Sequence, residues 1–255
     1  MRYSMNVSLS SRAVATTVIA GLVAVAAWLG MVPLVAFLAV FVLLMAQGWP
    51  AVTGQPSHSG TAIVVTAAGL MALLAAWRSE VTAVMQYVPL VLGVSVGMAF
   101  LAEMLRRDNR ERLLSSLSAT VLGAFIATGM AGWVAATRAG IGYRPALVVV
   151  GALTVVIAAA LCAFHIRPGW LAFVVTIWLV AAIGLVLGLV VPEVGWSVGL
   201  VVGAVLGIAV AVLRMLLGDE ARLFDLRAAM SAAVVPVAVG GILLYALHWL
   251  PTPLG

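Results

Sequence analysis

The 255-residue chain has no lysine, one cysteine and little charge of either sign: 13 arginines and 8 acids, together 8% of its residues. Soluble domains carry about a quarter charged residues, because something polar must cover the core. A cytosolic enzyme and a disordered tail are excluded on that ground alone. The lone Cys162 has no partner within the chain, which excludes a disulfide scaffold and cysteine-based metal sites. The three histidines, His58, His165 and His248, lie too far apart in sequence for metal-ligand spacing. All eight acids, Glu80, Glu103, Asp108, Glu111, Glu193, Asp219, Glu220 and Asp225, fall between apolar runs or at their ends. A proton- or sodium-coupled carrier normally keeps an ionisable residue at membrane depth, and Mg²⁺ chemistry needs carboxylate oxygens there. The sequence therefore implies no metal, no cofactor and no catalytic residue.

What the chain has in abundance is apolar surface: 65% hydrophobic residues and a mean hydropathy of +1.25. Such a composition faces lipid. A hydrocarbon core of about 30 Å takes roughly 17 to 25 helical residues, and cutting the chain at charge, proline and turn residues predicts about nine spans. They cover residues 13–30, 33–48, 60–77, 87–105, 113–137, 145–165, 169–190, 197–217 and 229–250. The first two are separated only by Gly30–Pro33, with Pro33 suited to the first turn of a helix. The expected fold is an all-α, polytopic transmembrane helical bundle in a single membrane domain.

Loop charge sets the orientation. With the N-terminus cytoplasmic and the C-terminus outside, only Arg78, Arg138 and Arg144 fall on the outer side, and the other ten arginines lie within. Trp28, Trp77, Trp133, Trp196 and Trp249 then sit at outer ends with Tyr87 and Tyr143, Trp49 and Trp170 mark the inner face, and Trp178 is mid-span. The arginines sit in short gaps, which fits membrane orientation and not nucleic acid. Arginine without lysine, with heavy use of Ala, Val, Gly and Leu, matches the codon usage of a high-GC bacterium, hence a bacterial plasma membrane. A competing reading at the N-terminus is a signal peptide, with Ala24-Val25-Ala26 as a small-residue cleavage site.

Three features could carry function. Gly195, Gly199, Gly203 and Gly207 recur every fourth residue and form one groove, a theme repeated at Gly184 with Gly188 and at Gly93 with Gly97. In lipid, helices associate by close packing, so the groove suits either another helix of the chain or a partner subunit. Ser116, Thr120, Gly123 and Ala127 share a face of the fifth span: packing, or a polar substrate path with no ionisable group beside it. Arg106, Arg107, Arg110 and Arg112 form the densest charge cluster, in which Glu103 can reach Arg106 or Arg107. The cluster anchors topology, and it could also contact lipid phosphate. Residues 218–227, with Asp219 as N-cap and Leu223 and Phe224 dipping inward, suit a short interfacial helix.

Residues 48–56 (Gly-Trp-Pro-Ala-Val-Thr-Gly-Gln-Pro) and 104–116 (Met-Leu-Arg-Arg-Asp-Asn-Arg-Glu-Arg-Leu-Leu-Ser-Ser) resemble a family of actinobacterial polytopic membrane proteins without assigned activity, over about a quarter of the chain. The span count also resembles that of phosphatidate cytidylyltransferases. That family's Ser/Lys-rich cytoplasmic signature and embedded aspartates are missing here. The expected role is a non-enzymatic helical subunit or accessory protein in envelope biogenesis or transport, in contact with membrane lipids and with a protein partner or a second copy, and with no nucleic acid. The alternatives are a lipid-phosphate enzyme or carrier and an uncoupled small-molecule transporter.

Overall fold

The computed structural model describes residues 9–55, 58–80, 86–106, 113–138, 146–164, 170–217 and 225–248. Those residues form ten helices and no strand: α1 (Leu9–Leu29), α2 (Met31–Thr53), α3 (His58–Arg78), α4 (Val88–Met104), α5 (Leu113–Thr128), α6 (Ala131–Arg138), α7 (Ala146–Phe164), α8 (Trp170–Val190), α9 (Trp196–Leu217) and α10 (Leu226–His248). Among them, six stretches are long and apolar enough to cross a membrane: Met31–Thr53, His58–Arg78, Leu113–Arg138, Phe173–Val190, Trp196–Leu213 and Leu226–Leu247. Three shorter apolar stretches, Ala13–Leu29, Val88–Met104 and Ala146–Ala160, accompany them. Large apolar side chains line the outside, as a lipid-facing bundle requires.

One helix organises the rest. α10 touches α1, α2, α5, α6, α7 and α9, whereas α4 rests chiefly on α3 and α5, and α8 on α9 and α7. The α10 sequence is built for that central place, with Ala228, Ala229, Ala232, Ala233 and Ala238 buried and glycine at 240 and 241. Small side chains let neighbouring backbones approach, which matters because lipid is as apolar as leucine and only packing distinguishes the two. At Gly48 of α2 an added Cβ would collide with the Arg227 carbonyl, and Ser231 donates a 2.8 Å bond to the Met45 carbonyl beside it. Pro236 removes one N–H from the middle of α10. Close by, Thr16 of α1 donates to the Ala233 carbonyl at 2.9 Å and ties the two helices together.

The span expected over 113–137 is not one continuous α-helix. It breaks between α5 and α6, where Gly129, Met130, Gly132 and Trp133 bond three residues back instead of four, to Ile126, Ala127, Gly129 and Met130. The cause is α10. A Cβ at Gly129 would lie 2.5 Å from the Ala238 carbonyl, and one at Gly132 would meet the Gly241 carbonyl. Trp133, expected among the interfacial aromatics, is instead fully buried and donates to the Val237 carbonyl at 2.8 Å. Its indole N–H needs a partner and finds one in the carbonyl one residue beyond Pro236.

α2 runs past the expected 48 to Thr53, carrying Pro50 in its last turns, and closes with Gly54 and Gln55 bonded back to Ala51 and Pro50. α1 and α2 meet at Gly30 alone, whose φ of 130° lies where side chains rarely go. Ala24 and Ala26, at the postulated cleavage site, are buried within the continuous α1.

Candidate functional site

At the end of the bundle where α3 and α5 begin and α2 and α4 finish, the interior turns polar. α4 presents Val88, Val91, Ser95, Ala99 and Glu103 inward, and α5 presents Ser116, Thr120, Gly123 and Ala127. Ser95 donates to the Val91 carbonyl within its own helix, leaving Glu103 as the charged member of that face. Arg106, just beyond α4, donates from Nη1 to Glu103 Oε2 at 2.9 Å, and both side chains are only 7% exposed. The other carboxylate oxygen, Oε1, accepts from the Ser116 hydroxyl.

The chain of bonds continues inward. Thr120 donates to the Ser116 carbonyl at 2.9 Å, and its hydroxyl oxygen lies 3.0 Å from that of Thr61 on α3. A hydroxyl has one proton, so with that of Thr120 committed to Ser116, Thr61 is the donor in the pair. α2 is tied to the same place: Trp49 Nε1 donates to the Ala119 carbonyl at 2.8 Å and its ring covers Gly123. Buried Gln55 spans from the Thr53 carbonyl to the Ser115 carbonyl at 3.4 Å each. Trp49, expected at the inner headgroup level, is therefore a buried tie between α2 and α5.

This geometry corrects one expectation. Glu103, in the last turn of α4 as a span-end acid should be, turns into the bundle, so the Ser116/Thr120 face does have an ionisable residue beside it. Arg106 pairs with Glu103, as their spacing predicts. Arg107, Arg110 and Arg112 lie outside the described residues, as do Arg144, Tyr143, His165, Trp249, Asp219, Leu223 and Phe224. His58 is exposed at the start of α3. No known protein family, curated protein or solved structure matches this chain. Functional readings therefore rest on the geometry itself.

Beside the ion pair, α3 and α4 diverge to leave an open groove of about 420 Å³. Its walls are Ile63, Met98, Leu101 and Ala102, and Ser59 and Arg106 close its polar end. Among the described residues no three of His, Cys, Asp and Glu gather as a metal site would require.

The glycine-lined groove of α9 is filled from within the chain. α8 lies in it, backbone against backbone: a Cβ on Gly188 would strike the Gly195 carbonyl, one on Gly184 the Gly199 carbonyl, and one on Gly203 would lie 2.6 Å from the Val180 carbonyl. Each step of four residues back along α8 meets a step of four forward along α9, as an antiparallel hairpin demands. Gly195 makes the turn possible, with a φ of 77°. Gly207 faces the Val180 side chain. Gly93 and Gly97 on α4 behave oppositely: a Cβ there would meet nothing within 4 Å.

Three further polar residues had no separate signal in the sequence. Thr61 and Gln55 were not singled out there, and Arg138 reads only as an outer topology charge. Arg138 in fact donates 2.7 Å bonds to the Ala76 and Trp77 carbonyls, closing the end of α3 with a cation where the helix dipole favours one.

Proposed function

We propose that the protein is a rigid, non-enzymatic scaffold of the bacterial plasma membrane, a nine-span helical subunit or accessory protein of an envelope-biogenesis or transport assembly. The observation that carries this reading is interlocked backbone. At Gly48 against Arg227, Gly132 against Gly241 and Gly184 against Gly199, helices meet with no side chain between them. Carriers that rock one bundle against another need an interface that slides. Carbonyl-to-glycine contacts resist sliding, because every shift of one residue puts a Cβ into a backbone. The uncoupled-transporter alternative loses its support here, since the Ser116 and Thr120 hydroxyls are engaged by Glu103 and Thr61.

The arginine asymmetry and the exposed Trp28, Trp77 and Trp196 support an N-terminus inside and a C-terminus outside. The surface for a partner or second copy is then the open Gly93 and Gly97 face of α4, with Leu90 and Leu101 exposed along it. Gly195, Gly199, Gly203 and Gly207 are no longer available for that purpose. The test is the mass of the complex extracted from native membranes in mild detergent. The wild-type chain should run as an assembly larger than its own 26.3 kDa plus detergent. The Gly93→Leu/Gly97→Leu variant should run as a single chain with an unchanged unfolding temperature. A wild type that is already single, or an assembly indifferent to both substitutions, would count against the scaffold reading.

A further inference from the structure

We propose that the Glu103 carboxylate is a proton-sensitive latch on α4: ionised, it ties the end of that helix to Ser116 of α5, and protonated, it releases it. An ionisable group turned into a membrane bundle is costly to keep and marks a place where charge is used. Glu103 is 6% exposed, and each of its oxygens accepts one bond, Oε1 from the Ser116 hydroxyl and Oε2 from Arg106 Nη1 at 2.9 Å. Both bonds require an acceptor. A carboxylic acid carries a proton of its own to donate, and here it would face two donors. Ser116 can reverse its bond, but a guanidinium has no acceptor to offer and keeps its charge. One proton therefore removes the negative charge that faces Arg106, in a pair whose side chains are each only 7% exposed.

Its place in the fold makes the group a latch. α4 rests chiefly on α3 and α5. The rest of its buried face is Val88, Val91, Ser95 and Ala99, small side chains, of which Ser95 bonds within α4 itself. Glu103 belongs to that face, turned away from the open one of Gly93 and Gly97, so holding it fixes the rotation of α4 as well as its end. On the α3 side, the groove of about 420 Å³ leaves a freed end room to move. Among the described residues, the neighbours of α4 bring few other charges. α5 has no ionisable side chain and offers the hydroxyls of Ser116 and Thr120. α3 offers Thr61, with His58 exposed at its start and Arg78 at its far end. The sign follows from the bonds: the tie exists where Glu103 is ionised and is lost as the pH falls.

The experiment uses the full chain in phosphatidylcholine nanodiscs, with Cys162→Ala and spin labels on Met104→Cys and Leu114→Cys, exposed positions at the latch end of α4 and α5. Pulsed electron resonance reads the distance between the labels from about pH 7.5 down to about pH 4.5. With Glu103 in place a single narrow distance should dominate at the upper limit, and a longer one should grow at least about tenfold in population at the lower, reversibly. The pair Glu103→Gln/Arg106→Gln removes the proton acceptor and its counter-ion together, and its distance should ignore pH. His58→Gln should leave the response intact. A distance that stays constant with Glu103 in place, a response that survives the paired substitution, or one lost with His58→Gln would each overturn the proposal. The scaffold reading would stand in all three cases, because its test is the mass of the protein complex at neutral pH.

Discussion

The α8–α9 seam and the α3–α4–α5 corner solve the same problem in opposite ways. Both must hold helices together in a solvent that gives no hydrophobic reward for doing so. The seam uses absence: glycines remove side chains until backbones touch, and the gain is dispersion spread over many atom pairs. The corner uses side chains, joining three helices through two hydroxyl contacts, with an ion pair at the end of α4 holding the carboxylate in place. A seam of that kind tolerates no added atom. A polar corner tolerates change in shape but not loss of a partner, since burial makes a lone charge expensive.

Substitutions can test that contrast. Gly199→Leu should have the largest effect, destabilising the bundle by about 4 kcal/mol or more, because no rotamer clears the Gly184 carbonyl. Thermal unfolding in detergent reads this, and a variant within a few degrees of wild type would mean that the seam opens freely. Glu103→Ala comes next, at about 3 kcal/mol, through the stranded Arg106 guanidinium. Adding Arg106→Met should recover more than half of the loss; no recovery would show that the two side chains act separately. Thr61→Val should cost only about 0.6 kcal/mol, since Thr120 keeps its bond to the Ser116 carbonyl. Smallest of all, Gly97→Leu should shift single-chain stability by no more than about 0.5 kcal/mol, because its Cβ enters open space. A large loss there would show that α4 has a neighbour in the folded chain that its open surface does not reveal.

The sequence reveals the helices through the apolar runs that form them, and it misses what depends on distant neighbours. The break after Thr128 left only Gly129 and Gly132 as a trace in residues 113–137, and the α10 carbonyls that require those glycines lie about a hundred residues later. The seam was closer to legible. Gly184 and Gly188 mirror Gly195 and Gly199 across a short link, and that symmetry assigns the groove to α8 once the two sets are paired. Glu103 was legible as well, through phase: Ser95, Ala99 and Glu103 follow at four-residue intervals, which places the acid on the same face as the small residues of α4. Its position near the span's end, where charges usually mark the interface, concealed this. Trp133 and Trp49 misled for the same reason. Depth along a helix says nothing about which way a ring points.

The bond from Thr16 to Ala233 bears on how the chain is made. A hydroxyl in the first described helix is held by a carbonyl in the last, 217 positions away. During synthesis α1 enters the bilayer early and has neither α7 nor α10 to pack against until those segments follow. Its buried face, with Ala20, Val23 and Ala27, must in the meantime be covered by lipid or by the insertion machinery. Completion of this bundle therefore waits for its last described helix, and translation arrested before α10 leaves α1, α2, α5, α6, α7 and α9 without the neighbour they share.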